Sequence, residues 1–393
     1  MSFFRNSTVN LLNLHYALRV FAHSGGGAFY AAYLYKSGLP APQVLAALAC
    51  IFIGRFIFRP LILPIAVRTG LRPLLVAGVL ISAMQYLALA SVAGVGPNLF
   101  VLIALAAIGD SFYWTAYHAY FAALGDDDAR GRQIGAREAI AAVAGMASPL
   151  LAGWMLAAFG PHAAFSTTCA FLALSAAPLL RTPPVRIAKR APNAFRAARM
   201  SLLVFAADGW MAAGWILSWQ IALFVTLGED YLAFGGAMAL AALVGAGASL
   251  ALGGNIDRGE GVRMATAAVG VMAFVIALRA ASVGAPTVAV AANAMGSLAA
   301  CLLVPAQMTP IYTIAKRAPC PLRFQLVCEA GWDIGGASGL FFCAMLLALG
   351  APLGLAVAAG MPGAFALLFL LRRYYARAAA PAVAVDVGST RAF

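Results

Sequence analysis

Along its whole length the chain alternates long apolar runs with short breaks of glycine, proline and charge. A helix needs roughly 20 mostly apolar residues to cross a bilayer. By that measure the runs predict twelve spans, at about 13–35, 43–66, 73–94, 98–124, 138–158, 163–181, 201–227, 232–253, 264–283, 286–314, 325–349 and 352–372. The breaks at 37–42, 94–98, 160–162, 228–230 and 281–286 have turn composition. The runs are too long and continuous for barrel strands, and hydrocarbon tolerates only helices or closed barrels. The expected fold is therefore an all-α membrane protein.

Composition removes the soluble alternatives. Hydrophobic residues make up 63% of the 393 positions and charged residues 10%, against roughly 45–50% and 25% in soluble domains. Positions 1–13 carry one charge, Arg5, and the first apolar run outlasts a signal-peptide core, so it is expected to stay in the mature protein. The six cysteines form no CxxC pair and mostly sit in apolar runs, as small hydrophobes do. No metal and no cofactor are expected.

The basic residues set an orientation. With the N-terminus inside, 21 lysines and arginines fall in cytoplasmic segments, and Lys36 and Arg279 alone fall opposite; Arg19, Arg55 and Arg59 lie within spans. That asymmetry places both termini in the cytoplasm of a multi-pass protein of the cell (inner) membrane. The formal charge of +13 is thus a topology signal. Nucleic acid is excluded as a partner, since no basic stretch is interleaved with aromatics. The longest basic loop, 182–200, separates a six-helix bundle (1–181) from a second (201–377), followed by a flexible cytoplasmic tail (378–393). The halves echo each other. Arg68-Thr69-Gly70-Leu71-Arg72 follows the second span, and Asp257-Arg258-Gly259-Glu260-Gly261 follows the eighth. Glu138-Ala139 and Gly145-Met146-Ala147-Ser148 in the fifth span are matched by Glu329-Ala330 and Gly335-Gly336-Ala337-Ser338 in the eleventh. Repeated halves around a shared site are a transporter pattern.

On these residues the chain resembles the major facilitator superfamily over essentially its full length. The loop motif of that family is kept at Arg68, Gly70 and Arg72, with Leu63 and Val67 at its first glycine and its aspartate; the second copy keeps Gly253, Asp257 and Arg258, with its later glycine at Gly261. The resemblance implies two pseudo-symmetric six-helix halves, a central cavity lined by spans one, four, seven and ten, and contact between spans two and eleven. The run from Ala144 to Gly153 resembles a softened antiporter motif.

Ionisable residues at bilayer depth need an explanation, because each is costly there. Arg55 and Arg59 share one face of span two, and Glu329 and Asp333 share one face of span eleven. Opposite sign and matched depth suggest a contact made and broken during transport, with Glu138 a further coupling candidate. Asp110, Trp114 and Tyr117 line one face of span four; Asp208, Trp215 and Trp219 do so in span seven; Arg19 and His23 lie on span one before a triple glycine; Asn293 and Gln307 lie on span ten. These faces are expected to converge on one substrate cavity holding both Asp110 and Asp208. No GxxxxGK[ST] loop occurs, and Asp126-Asp127-Asp128 lacks the second acidic loop that two-metal chemistry would want. The expected function is secondary, proton-coupled, export-type (antiporter-like) transport of a small molecule by a monomer, not an enzyme. The alternatives are an uptake symporter for an organic anion, suggested by Arg19, Arg55 and Arg59, and, outside transport, a membrane prenyl or lipid transferase or a non-transporting sensor.

Overall fold

The computed structural model describes residues 7–124, 130–252 and 261–379, and their side chains except at 122, 130–142, 249–252, 312, 316, 317 and 377–379. Asp126, Asp127, Asp128, Gly253, Asp257, Arg258 and nearly all of the expected tail lie outside the described residues, as does the side chain of Glu138.

Helices α1 (Ser7–Gly25) and α2 (Tyr30–Lys36) form one broken element, joined by a single tighter turn, Gly26–Phe29. The triple glycine accounts for the break: a Cβ on Gly26 would overlap Thr168, and one on Gly25 would lie 3.3 Å from the Ser148 carbonyl oxygen. The same glycines therefore tighten the backbone and bring two helices close. Next come α3 (Ala41–Thr69), α4 (Leu71–Ala90) and α5 (Pro97–Leu124), then α6 (Arg130–Leu174) and α7 (Ala176–Leu180). Helix α6 turns at Gly160, whose φ of 79° suits glycine and lies at a break legible in the sequence. Helices α8 (Arg199–Ala212) and α9 (Trp219–Thr226) are joined through a wide π turn, Ala213–Ser218. The remainder is α10 (Tyr231–Leu252), α11 (Gly261–Ala281), α12 (Pro286–Arg317), α13 (Pro321–Ala348), α14 (Leu353–Ala358) and α15 (Met361–Ala379). Among the described residues, ten helical stretches are long and apolar enough to cross a membrane.

Helix α3 shows how these elements sort their faces. Phe56, Ile57 and Leu61 are exposed, while Phe52, Arg55, Arg59 and Ile62 are buried. In lipid the outward face is as apolar as a packed one, so burial follows the charges rather than hydrophobicity. Helix α3 packs on α13, and α6 on both α1 and α10. A Cβ on Gly153 would lie 2.5 Å from the Tyr231 carbonyl oxygen, and one on Gly235 2.6 Å from that of Pro149. The small residues of the 144–153 run thus serve close helix packing.

The connection after α3 is held by backbone. The Leu71 N–H donates to the Val185 carbonyl at 2.9 Å, and Arg72 donates to the Thr182 carbonyl at 2.7 Å. Gly70, with φ 86°, makes the corner, and Arg68 is exposed. Gly261 opens α11 against the Tyr375 ring, where a Cβ would overlap it. The Gly70–Arg72 corner therefore pins the start of the 182–200 segment to the end of α3 and the start of α4.

Candidate functional site

A charge cluster joins α3 to α13. Arg55 Nη2 donates to Glu329 Oε2 at 3.0 Å, and Arg55 Nε lies 2.8 Å from Asp333 Oδ1. Arg59 donates to Asp333 Oδ2 from Nε at 3.0 Å and also from Nη2, and its Nη1 donates to Thr115 Oγ1 at 2.9 Å. All four charged residues are buried, and Asp333 is fully enclosed. Asp333 bridges both arginines, whereas Glu329 serves only Arg55. Taking such ions from water is costly, and their attraction offsets it only with every partner in place.

The outer pair of this cluster opens on a cavity of about 360 Å³. Arg55 and Glu329 line it together with His23, Tyr30, Asp110, Trp114, Gln220 and Trp332. Asp110 is about one-fifth exposed and lies 3.8 Å from Arg19 Nη2. Arg19 itself is buried, its guanidinium resting 3.4 Å above the Tyr113 ring, a geometry that stabilises the cation through the ring quadrupole. The Tyr86 hydroxyl lies 3.4 Å from His23 Nδ1. A Cβ on Gly27 would approach both groups to 2.9 Å, so the glycine leaves room for this pair. The cavity therefore gathers carboxylates and an imidazole, groups able to exchange protons, beside apolar walls.

A second cavity, of about 420 Å³, shares Ile216 and Gln220 with the first. Trp215, Trp219, Arg279, Asn293 and Ser297 line it, opposite Ser24, Gly145 and Pro149. The Trp219 Nε1–H donates to Asn293 Oδ1 at 2.9 Å, and Asn293 Nδ2 donates to the Ala237 carbonyl at 3.1 Å. The π turn leaves the Trp215 carbonyl facing Arg279, which donates to it from Nη1. Wide turns of this kind recur at functional sites.

The expected residues thus separate into three groups. Asp110, Trp114, His23, Arg55 and Glu329 line the first cavity; Trp215, Trp219 and Asn293 line the second. Arg19, Tyr117, Asp208, Gln307, Arg59 and Asp333 line neither of the two. The shared cavity expected for Asp110 and Asp208 is corrected. Asp208 lines neither cavity; it accepts a hydrogen bond at 3.2 Å from the Nε1–H of Trp332, a wall residue of the first. Tyr117 is fully buried and stacked between Tyr16 and Tyr113, which makes it packing. Arg279, counted among the basic residues on the side opposite the cytoplasm, is buried in the last turn of α11. Its signal was present as one arginine closing an otherwise apolar run, a few residues before Pro286.

The family model described as Major Facilitator Superfamily matches residues 12–319. Solved structures share the fold at full length. An auto-inhibited POT family peptide transporter is 14% identical, with TM-score 0.69, covering 94% of this chain and 96% of its own. A POT family transporter in complex with 5-aminolevulinic acid is 11% identical, with TM-score 0.69, covering 92% and 95%. The POT family transporter PepTSo is 10% identical, with TM-score 0.69, covering 95% and 98%. No curated protein sequence matches the chain. The export-type, antiporter-like expectation is corrected: the solved structures that share the fold run to POT family transporters, a peptide transporter among them. The run that suggested an antiporter is accounted for by packing of α6 on α1 and α10. With the matched region extending across most of its length, the chain belongs to the major facilitator superfamily, a family of membrane transporters.

Proposed function

We propose that the protein is a proton-coupled uptake symporter of a small organic anion or peptide-like molecule, working by alternating access. The observation that carries this reading is the cluster of Arg55, Arg59, Glu329 and Asp333 across α3 and α13, with its outer pair on the wall of the first cavity. Protonation of an acid in such a cluster removes one side of the attraction and releases α3 from α13. A contact whose stability depends on proton occupancy is a coupling device, because the proton then binds the two conformations unequally. Asp110 and His23 supply further proton-exchanging groups in the same cavity.

The architecture proposed with this reading has twelve spans in two six-helix halves, 1–181 and 201–377, linked by the basic segment 182–200. Three features support it: α1 and α2 act as one span, α6 divides at Gly160, and α14 and α15 act as one. Both termini are placed in the cytoplasm, the protein in the cell inner membrane, and the working unit is a monomer. The bias of basic residues supports the orientation. Cysteine substituted at position 190 should be labelled from the cytoplasmic side alone.

The test of function is purified protein in proteoliposomes under an imposed pH gradient, screened with di- and tripeptides and organic acids. Accumulation of at least one compound down the proton gradient, abolished by a protonophore, is the expected result. Uptake that ignores the gradient would sink the coupling.

A further inference from the structure

We propose that the second cavity is a carboxylate-binding site, with Arg279 as its anchor, and that it receives the anionic group of an otherwise apolar or aromatic organic acid. This deepens the transport reading above and rests on it.

The argument starts from which arginines are already neutralised. Arg19, Arg55 and Arg59, the arginines that suggested an anionic substrate from sequence, each have a carboxylate within 4 Å: Asp110, Glu329 with Asp333, and Asp333. Their charge is therefore balanced inside the protein. Arg279 is equally buried, at 5% exposure, and its described partners are all neutral. It donates to the carbonyls of Trp215, Ala292 and Asn293 and to Asn293 Oδ1. Carbonyl dipoles orient a guanidinium without cancelling its charge. These four bonds occupy at most four of the five N–H groups that a guanidinium carries. The group thus keeps both a donor and its full charge for something absent from the chain.

The surroundings are shaped to hold that fork still. The guanidinium lies 5.2 Å from the Trp215 ring centre and 5.1 Å from that of Trp219. Asn293 is fixed by Trp219 on its oxygen and by Ala237 on its nitrogen, so its amide cannot turn away. Gly296 provides the space, since a Cβ there would overlap the guanidinium. Among the described residues, no hydrogen-bond partner meets the buried indole N–H of Trp215, a residue of the same wall. Beyond this polar end most of the lining is apolar, from Ile216, Leu223, Met238 and alanines, interrupted by Ser24, Gln220 and Ser297. A fixed cation with one spare donor, at the end of an apolar cavity of about 420 Å³, suits a carboxylate on a hydrophobic body.

The experiment uses the full purified chain and two probes of matched shape, phenylacetate and its neutral amide, phenylacetamide. Binding is read as a concentration-dependent rise in melting temperature and as a change in tryptophan fluorescence. Phenylacetate should stabilise the wild type, while phenylacetamide should not. Arg279→Gln should weaken phenylacetate binding at least about tenfold, the loss expected for a charge-assisted hydrogen bond. Gln220→Glu, an isosteric change on the same cavity wall, should weaken it too, by placing an internal carboxylate near the site. Equal effects of the two probes on the wild type, or no effect of phenylacetate, overturn the proposal. So does unchanged phenylacetate affinity in Arg279→Gln or, should that variant not fold, in Gln220→Glu. Binding at equilibrium needs no gradient, which keeps the two readings separable. A wild type that binds phenylacetate through Arg279 but shows no gradient-driven uptake preserves the site and removes the symport. Gradient-driven uptake with Arg279-independent binding does the reverse.

Discussion

The two cavities meet at Ile216 and Gln220 but hold opposite chemistry. In the first, every arginine at or behind the wall has an acid beside it, with Arg19, Arg55 and Arg59 set against Asp110, Glu329 and Asp333. In the second, one arginine stands among carbonyls and indoles with no acid among the described residues. The difference teaches how a membrane protein can divide two tasks. Balanced pairs suit groups that gain and lose protons, because each protonation changes a contact between helices. An unbalanced cation suits capture of an anion, because the counter-charge must come from outside. Adjacent cavities with a shared wall let the occupancy of one bear on the other.

The largest expected effect tests the balanced side. Asp333 serves both Arg55 and Arg59, so Asp333→Ala leaves Arg59 with only Thr115. Breaking a buried pair from one side typically destabilises by about 3–5 kcal/mol. A marked fall in melting temperature and loss of transport are expected. Glu329→Gln should be milder, because Arg55 keeps Asp333. The double exchange Arg59→Asp with Asp333→Arg should recover folding relative to either single change. If Arg59→Ala transports at the wild-type rate, the cluster has no part in coupling.

Much of this cluster could be read from the chain before any coordinates. An arginine or aspartate inside an apolar run is conspicuous, and a four-residue spacing fixes which share a helix face. Which apolar residues are buried could not be read, because lipid and protein interior reward the same side chains; Phe56 and Phe52 look alike in sequence, yet only Phe52 is buried. Arg279 was missed for a related reason. It lies in the last turn of its helix, where a charge ordinarily reaches the interface, and only tertiary packing turns it inward over Gly296. Asp208 was misplaced because spacing gives a helix face but not which neighbour covers it. The π turn at Ala213–Ser218 also shifts Trp215 and Trp219 relative to Asp208, which a regular helical count does not anticipate.

The next effect in size concerns Asp110, the partly exposed acid of the first cavity. Its ion pair with Arg19 is long, at 3.8 Å, and Arg19 has the Tyr113 ring as a second support. Asp110→Asn should therefore destabilise less than Asp333→Ala, while lowering gradient-driven uptake by about tenfold or more. Counterflow without a gradient should survive. Equal losses in both assays would assign Asp110 to structure.

Gly296→Ala probes the unbalanced side without removing its charge. The added methyl must displace the guanidinium, so anion binding should fall, while overpacking should cost about 1–3 kcal/mol. Gly270→Ala is the control, with open space around the new carbon. If Gly296→Ala binds phenylacetate as the wild type does, the position of Arg279 is not what sets the affinity.

The smallest effect is expected at Asp208, and it sharpens the line between lining a cavity and supporting its wall. The carboxylate accepts from the Trp332 indole at 3.2 Å, and an asparagine oxygen can still provide that acceptor. Asp208→Asn keeps the shape, keeps one acceptor oxygen and removes the charge. Stability should shift by about 1 kcal/mol, the scale of one altered hydrogen bond. Trp332 should hold its place against Phe52, whose ring packs edge-on at 4.9 Å. Uptake should fall by less than about threefold, with the change in KM rather than in dependence on the gradient, because the altered group touches the wall and not the cavity. Asp208→Ala should do more, since it frees the indole N–H and leaves Trp332 to move. That ordering, alanine worse than asparagine and both milder than Asp110→Asn, marks a positioning residue. Loss of gradient dependence in Asp208→Asn would instead make Asp208 a proton carrier and erase the division between the two cavities.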